Sequence, residues 1–144
     1  MANAFTGIDH VGIAVADLDI AVAAYERLTG TAPAHRQVVA SDGIEAVMFE
    51  VGESRIELLG STGPDSKIAG FLSRRGSGLH HVAYGVDDVQ ASLDRFADLG
   101  LQLLDTCPRN GAGGRLVAFL HPSAANGVLT ELCQPDEERA GSHP

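Results

Sequence analysis

Two histidines and two glutamates occupy corresponding places in the two halves of this chain, and together they could hold a metal ion. His10 and His81 each stand near the start of an apolar segment, and Glu57 and Glu131 each lie in the last apolar segment of the same half. Imidazole and carboxylate groups are suitable ligands for a divalent metal. Four such ligands would occupy four positions of a six-coordinate ion and leave two open. The negative charges of the two glutamates would neutralise a divalent ion. A lone histidine or glutamate is more often structural, and it is the repetition that favours a shared site.

The first apolar segment predicts a strand that carries its histidine on a nearly bare face. In an extended segment from Ile8 to Asp17, alternate side chains point to opposite faces, so His10 shares its face with Gly12 and Ala14. The opposite face is bulky and apolar, which favours packing against helices. The face with His10 leaves backbone accessible to a ligand.

The elements that follow are predicted from their periodicity and their end signals. A helix is expected from Leu18 to Leu28, with Asp17 as its N-cap and Gly30 at its end. Strands are expected over residues 35–40, 44–51 and 55–59. A short linker helix, capped by Asp65 or Ser66, is expected to run to residues 74–76.

The second half repeats this arrangement. When His81 is written under His10, at an offset of 71 residues, Val82, Asp88, Phe96 and Leu99 fall on Val11, Asp17, Tyr25 and Leu28. Further strands are expected over residues 102–105, 115–121 and 128–133. We therefore expect one domain over residues 1–134, with modules at about 7–60 and 78–134 and a linker at about 61–77. Residues 135–144 are polar and are expected to be a disordered tail.

Composition excludes several classes of function. The formal net charge of −9 disfavours a nucleic-acid-binding protein and long-range attraction of anions. No apolar run reaches the roughly 20 residues that a membrane-spanning helix needs. Cys107 and Cys133 are too few for a disulfide framework, and the first residues do not form a signal peptide, so a cytoplasmic protein is expected.

Glu45 is a separate candidate, for acid–base chemistry. It shares a strand face with Val47 and Phe49, so we expect it to project into a partly apolar cavity. Burial there would raise the pKa of its carboxyl group toward that of a useful base. Without the surrounding repeat, Glu45 would be interpreted as a surface residue.

The repeated motifs resemble those of the vicinal-oxygen-chelate superfamily. Segments 8–15 (IDHVGIAV) and 79–86 (LHHVAYGV) carry the resemblance to the superfamily. Segments 43–48 (GIEAVM), 56–59 (IELL), 63–72 (GPDSKIAGFL), 118–122 (AFLHP) and 127–132 (GVLTEL) are similar to those of its methylmalonyl-CoA epimerases. The resemblance covers residues 8–134 and implies an α+β fold. In that fold two tandem βαβββ modules form a curved mixed sheet around a metal-binding cavity.

The resemblance also implies a function and a set of roles. His10, Glu57, His81 and Glu131 would bind a divalent metal, with Co²⁺ favoured and Zn²⁺, Mn²⁺, Ni²⁺ or Mg²⁺ as alternatives. Glu45 and Glu131 would be the catalytic pair that moves the C2 proton of methylmalonyl-CoA through a metal-chelated enolate, in an enzyme that is a homodimer. Two alternatives stay open: a glyoxalase-like metal-dependent isomerase or lyase that acts on a thiol adduct, and a metal-free binding protein of the same fold.

Overall fold

The chain builds the same succession of elements twice. The computed structural model describes residues 5–135. Its strands are β1 (Gly7–Val15), β2 (His35–Val39), β3 (Ile44–Val51), β4 (Ser54–Ser61), β5 (Gly78–Gly85), β6 (Arg109–Asn110), β7 (Leu116–Leu120) and β8 (Thr130–Gln134). The helices are α1 (Leu18–Thr29), α2 (Ala69–Arg75) and α3 (Val89–Asp98). Two βαβββ modules with α2 between them confirm the α+β fold predicted from the sequence.

The two long helices begin and end where the sequence predicts. Asp17 is the N-cap of α1, and its carboxylate accepts a hydrogen bond from the backbone N–H of Ile20. Asp88 does the same for α3, with the backbone N–H of Ala91 as donor. Gly30 ends α1 in the left-handed conformation, with φ 74°. A carboxylate at this position satisfies a backbone donor that the helix itself leaves unpaired.

Residue contacts divide the chain into two compact units, of which one contains His10–His80. Its strands lie in the order β2, β3, β4, β1, with β1 parallel to β4 and the other pairs antiparallel. The face that meets α1 is filled by a buried apolar cluster: Val15, Val22, Val47, Phe49 and Leu58. The prediction that the bulky face of β1 packs against a helix is therefore confirmed.

The other unit joins the chain from His81 onward to the start of β1, up to Asp9. Its strands lie in the order β5, β8, β7, β6, with β5 parallel to β8. Its core packs α3 against one face of these strands through Val86, Val89, Leu93, Phe96, Ala118, Leu120 and Leu132. The N-terminal segment is held here by the backbone N–H of Thr6, which donates to the carbonyl of Gly85.

One predicted strand is wrong, and the predicted side-chain cap of α2 is not formed. Residues 102–105 form no strand; Leu103 makes an isolated bridge with Leu120, and the short strand beside β7 is instead β6. The segment cannot pair further because the carbonyl of Phe119 already accepts from the N–H groups of both Leu104 and Asp105. Helix α2 begins after Ile68 without a side-chain cap.

Two further expectations concern the C-terminal tail and membrane-spanning helices. The tail predicted over residues 135–144 lies outside the described residues except for Pro135. Within residues 5–135, no helix is long and apolar enough to cross a membrane.

Candidate metal and active site

His10 and Glu57 meet on the face of their unit that lies opposite α1. In the parallel pairing of β1 with β4, Glu57 lies opposite Gly12, two residues beyond His10 on the same face. Glycine provides no side chain there, so the carboxylate can reach diagonally to the imidazole. His10 Nε2 lies 3.6 Å from Glu57 Oε1, and the two residues are 3% and 7% exposed.

His81 and Glu131 form the same arrangement in the other unit. Here β5 is parallel to β8, and Glu131 lies opposite Ala83, again two residues beyond the histidine. His81 Nε2 lies 3.3 Å from Glu131 Oε2, and the two residues are 4% and 6% exposed. The structure thus brings the two members of each predicted pair together through the same strand register.

The donor atoms of each pair are placed as two ligands of one ion would be. Two atoms bound at about 2.1 Å to the same metal, at a right angle, lie about 3 Å apart. The separations of 3.3 and 3.6 Å are close to this value, and neither is a good N–H···O hydrogen bond. Buried carboxylates are costly unless they are paired or bind a metal. The residues present therefore fit a divalent ion.

Apolar side chains surround both pairs. Met48 lies opposite Glu57 in the pairing of β3 with β4, and it is buried. The ring of Phe119 meets the ring of His81 edge-on, with 5.5 Å between their centroids. Ala83, Val117 and Cys133 form a buried cluster beside Glu131. Such surroundings exclude water and strengthen the electrostatic interactions of the buried pairs.

Glu45 does not join these residues, and its predicted surroundings are corrected. Its neighbours Val47 and Phe49 are buried as expected, but they pack in the α1 core rather than in a ligand cavity. Glu45 lies opposite Gly60, on the α1 face, whereas Met48 and Glu57 occupy the other face. Its carboxylate, 32% exposed, accepts a hydrogen bond of 2.7 Å from Arg36 Nε. Strand alternation correctly grouped Glu45 with Val47 and Phe49, but the apolar face they share is the core that meets α1 and not a ligand cavity.

Asp9 and Arg115 are residues of this face that the sequence analysis did not select. Arg115 is 3% exposed, and its Nη1 donates to Asp9 Oδ2 at 2.6 Å. Nη1 also lies 3.9 Å from Cys133 Sγ. A cation directly before an alternating strand, on the face of Glu131, was the signal that could have identified Arg115.

The thiol of Cys133 is buried between charges. Burial raises the pKa of Cys133, and the nearby carboxylates of Asp9 and Glu131 raise it further, while Arg115 lowers it. The group therefore stays protonated and is a poor nucleophile. Cys133 therefore serves as a packing residue, in the buried cluster with Ala83 and Val117.

The remaining histidines near the site have structural contacts. His80 points away from His81 and meets the ring of Phe71 edge-on, at 5.1 Å between centroids. His121 caps the 3-10 turn at Pro122–Ala125, where its Nδ1 accepts from the backbone N–H of Ser123. Both histidines thus make contacts of a structural kind away from the His–Glu pairs.

Comparison with known proteins identifies close relatives. The profile of the Glyoxalase/Bleomycin resistance protein/Dioxygenase superfamily matches residues 9–119. The ethylmalonyl-CoA/methylmalonyl-CoA epimerase of Cereibacter sphaeroides is 39% identical over 129 residues, which cover 88% of this chain and 96% of that protein. The crystal structure of the Mycobacterium tuberculosis methylmalonyl-CoA epimerase is similar with a TM-score of 0.89 and 36% identity, covering 96% of this chain and 93% of that one. A methylmalonyl-CoA epimerase in complex with methylmalonyl-CoA and NH4+ has a TM-score of 0.89 and 36% identity, covering 93% and 97%.

Proposed function

We propose that this chain interconverts the (R) and (S) forms of methylmalonyl-CoA. It belongs to the Glyoxalase/Bleomycin resistance protein/Dioxygenase superfamily and, within it, to the methylmalonyl-CoA epimerases. The observation that carries the proposal is the buried His–Glu pair that both units build with the same strand register. The methylmalonyl-CoA bound in a similar epimerase supports the choice of substrate.

We propose that the two pairs, His10 with Glu57 and His81 with Glu131, share one divalent metal ion. The support is the burial of all four residues, the separation of the donor atoms within each pair, and the family to which the chain belongs. Co²⁺ is our choice of ion, with Zn²⁺, Mn²⁺, Ni²⁺ and Mg²⁺ as alternatives. When bound, such an ion supplies a Lewis acid for the negative charge that develops on the oxygens of the substrate.

The chain's own residues would then move the proton. The hydrogen at C2 lies between a carboxylate and a thioester carbonyl, so its removal needs a base on one side and an acid on the other. We propose Glu131 for one of these roles, since its carboxylate is buried on the face that carries His81. Glu45 was expected to take the other role, and its variant, described in the Discussion, decides that assignment.

Deuterium incorporation tests the proposed function. Metal-loaded protein is incubated with methylmalonyl-CoA in heavy water, and exchange at C2 is followed by mass spectrometry together with the ratio of epimers. We expect one deuterium per turnover and inversion that depends on added metal. Lack of exchange, combined with turnover of a glutathione thiol adduct, would instead favour the glyoxalase-like alternative. Ethylmalonyl-CoA, assayed in parallel, measures the acyl-chain preference.

We also propose that the protein is a homodimer of the cytoplasm. Ile20 and Leu28 of α1 are large apolar side chains that are mostly exposed, which favours a covering partner. Cys107 and Cys133 are both free thiols, as is usual in a reducing compartment. Light scattering coupled to size-exclusion chromatography measures the mass in solution, and a mass of one chain would contradict the dimer.

A further inference from the structure

Arg115 is a buried cation whose burial calls for an explanation. Among residues 5–135, it is the one lysine or arginine in the fully buried class. Charged side chains are almost never buried without a partner, and here the partner is Asp9 at 2.6 Å. Moving such a pair out of water often costs more than the attraction returns, so a buried ion pair is weak evidence for a purely stabilising role.

The backbone places Arg115 on the same face as Glu131. Arg115 is extended, with φ −93° and ψ 154°, and it leads directly into β7. Its side chain therefore shares a face with Val117 and Phe119, which lie opposite Cys133 and Glu131 on β8. The edge-on contact between Phe119 and His81 shows that this is the face of the His81–Glu131 pair.

Arg115 contacts the side chain that follows Glu131 by one repeat on the same face of β8. Its Nη1 is 3.9 Å from Cys133 Sγ, and Cys133 follows Glu131 by two residues on β8. Two residues along a strand span about 6.5–7 Å. Arg115 is also buried to a similar degree as His81 and Glu131. A substrate that reaches the His81–Glu131 pair would therefore come to the depth at which Arg115 lies.

The chemistry of this position suits a carboxylate. The contacts of Arg115 with Asp9 and Cys133 both use Nη1, whereas a guanidinium has five N–H donors in a planar fork that matches a carboxylate. The formal net charge of −9 disfavours long-range attraction of an anion, so the substrate carboxylate needs local cations, and Arg115 would supply one beside the proposed metal.

We propose that Arg115 binds the free carboxylate of the substrate and so makes the site selective for 2-carboxyacyl thioesters over simple acyl thioesters. This inference rests on the proposed epimerase function, and it names Arg115 as a specificity-determining residue. Asp9 orients the guanidinium through Nη1, and its other edge faces the substrate.

Charge-removing and charge-keeping variants test the proposal in the metal-loaded, full-length protein. Arg115→Gln removes the cation, Arg115→Lys keeps the charge but loses the fork, and Arg75→Gln is a control that removes one exposed charge from α2. We expect Arg115→Gln to raise KM for methylmalonyl-CoA about 10- to 100-fold, the scale of one lost charged hydrogen bond, with a smaller effect on kcat. Arg115→Lys should fall between Arg115→Gln and the wild type.

A binding measurement separates this inference from the proposed function. Melting of each variant is recorded with methylmalonate, and with propionate as the monocarboxylate control. We expect methylmalonate to raise the melting temperature of the wild type and of Arg75→Gln, and not that of Arg115→Gln. If the wild type fails to epimerise methylmalonyl-CoA, the proposed function falls while this measurement still tests Arg115.

Misfolding of the single variant is controlled by removing both charges. Asp9→Asn combined with Arg115→Gln removes both charges of this ion pair, and it should fold and still lose the response to methylmalonate. If KM and the methylmalonate response of the Arg115 variants equal those of Arg75→Gln, Arg115 is a structural residue and the proposal is overturned.

Discussion

Two adjacent histidines of β5, His80 and His81, point to opposite faces of the strand. His81 lies 3.3 Å from Glu131 on the face of the candidate site, whereas His80 contacts Phe71 on the other face. Strand alternation alone separates them, so single-residue variants can distinguish a ligand from its neighbour without moving the backbone.

We expect His81→Ala to abolish stoichiometric metal binding and epimerase activity together, because it removes one of four proposed ligands. His80→Ala is the matched control, since the same atoms are deleted one residue away, and it should keep both. Metal content is measured by elemental analysis after gel filtration. A His81→Ala protein that retained one metal ion per chain would remove His81 from the ligand set.

The position of Glu45 changes what its variant should do. A partly exposed ion pair contributes about 0.2–1 kcal/mol, so Glu45→Gln should alter stability slightly. Because Glu45 faces α1 and not the His–Glu pairs, the rate should change by less than about 3-fold, on the order of 0.6 kcal/mol in the barrier. Arg36→Gln, which removes the other half of the pair, should give the same result. A loss of about 10²–10⁴-fold in the Glu45 variant alone, with the metal retained, would show that Glu45 is an acid–base group after all.

Residue type and repetition were sufficient to predict the His–Glu pairs, because both halves carry the same residues on the same strand faces. They were insufficient for Arg115, whose burial depends on Asp9, 106 residues away in sequence. The surroundings of Glu45 were predicted wrongly for a related reason: its apolar neighbours are compatible with either a core or a cavity, and only the pairing of β3 with β4 distinguishes the two.

At the scale of elements, the caps and the parallel pairings govern the site. The N-caps of α1 and α3, Asp17 and Asp88, follow the ends of β1 and β5 by two and three residues. These local signals can be read from sequence because the capping side chain and its backbone partner are close neighbours. The choice between residues 102–105 and 109–110 as the partner of β7 is not local, and there the prediction failed.

We expect Asp88→Ala to lower the free energy of unfolding by about 1 kcal/mol, because the backbone N–H of Ala91 loses its acceptor. Asp87→Ala removes the same charge from the preceding exposed residue and should change stability by less than about 0.5 kcal/mol. Urea unfolding followed by circular dichroism measures both. Equal effects of the two variants would mean that charge, and not capping, is responsible.

At the scale of the whole molecule, the proposed metal connects folding to function. Each unit contributes one His–Glu pair from its own strands, so an ion held by both pairs should stabilise the native chain as a whole.

We expect added metal to raise the melting temperature of chelator-treated protein. An ion that binds only the folded state contributes about 2.7 kcal/mol at 100 times its Kd. For a chain of this size, that is about 5–15 °C. Differential scanning calorimetry measures the shift, and His10→Ala and His81→Ala should each reduce it. An unchanged melting curve at saturating metal would contradict a shared site.

Residues 5–9 contact elements that come much later in the chain. Phe5 stacks on Tyr84 at 4.5 Å between ring centroids, Thr6 donates to Gly85, and Asp9 holds Arg115. During synthesis these residues emerge well before their partners, since Tyr84, Gly85 and Arg115 lie far downstream in the sequence. Residues 10–80 can assemble their own strands in the meantime, since their contacts lie within that unit. The contact of Asp9 with Arg115 must therefore wait until synthesis has passed residue 115, so the start of β1 reaches its final contacts late in folding.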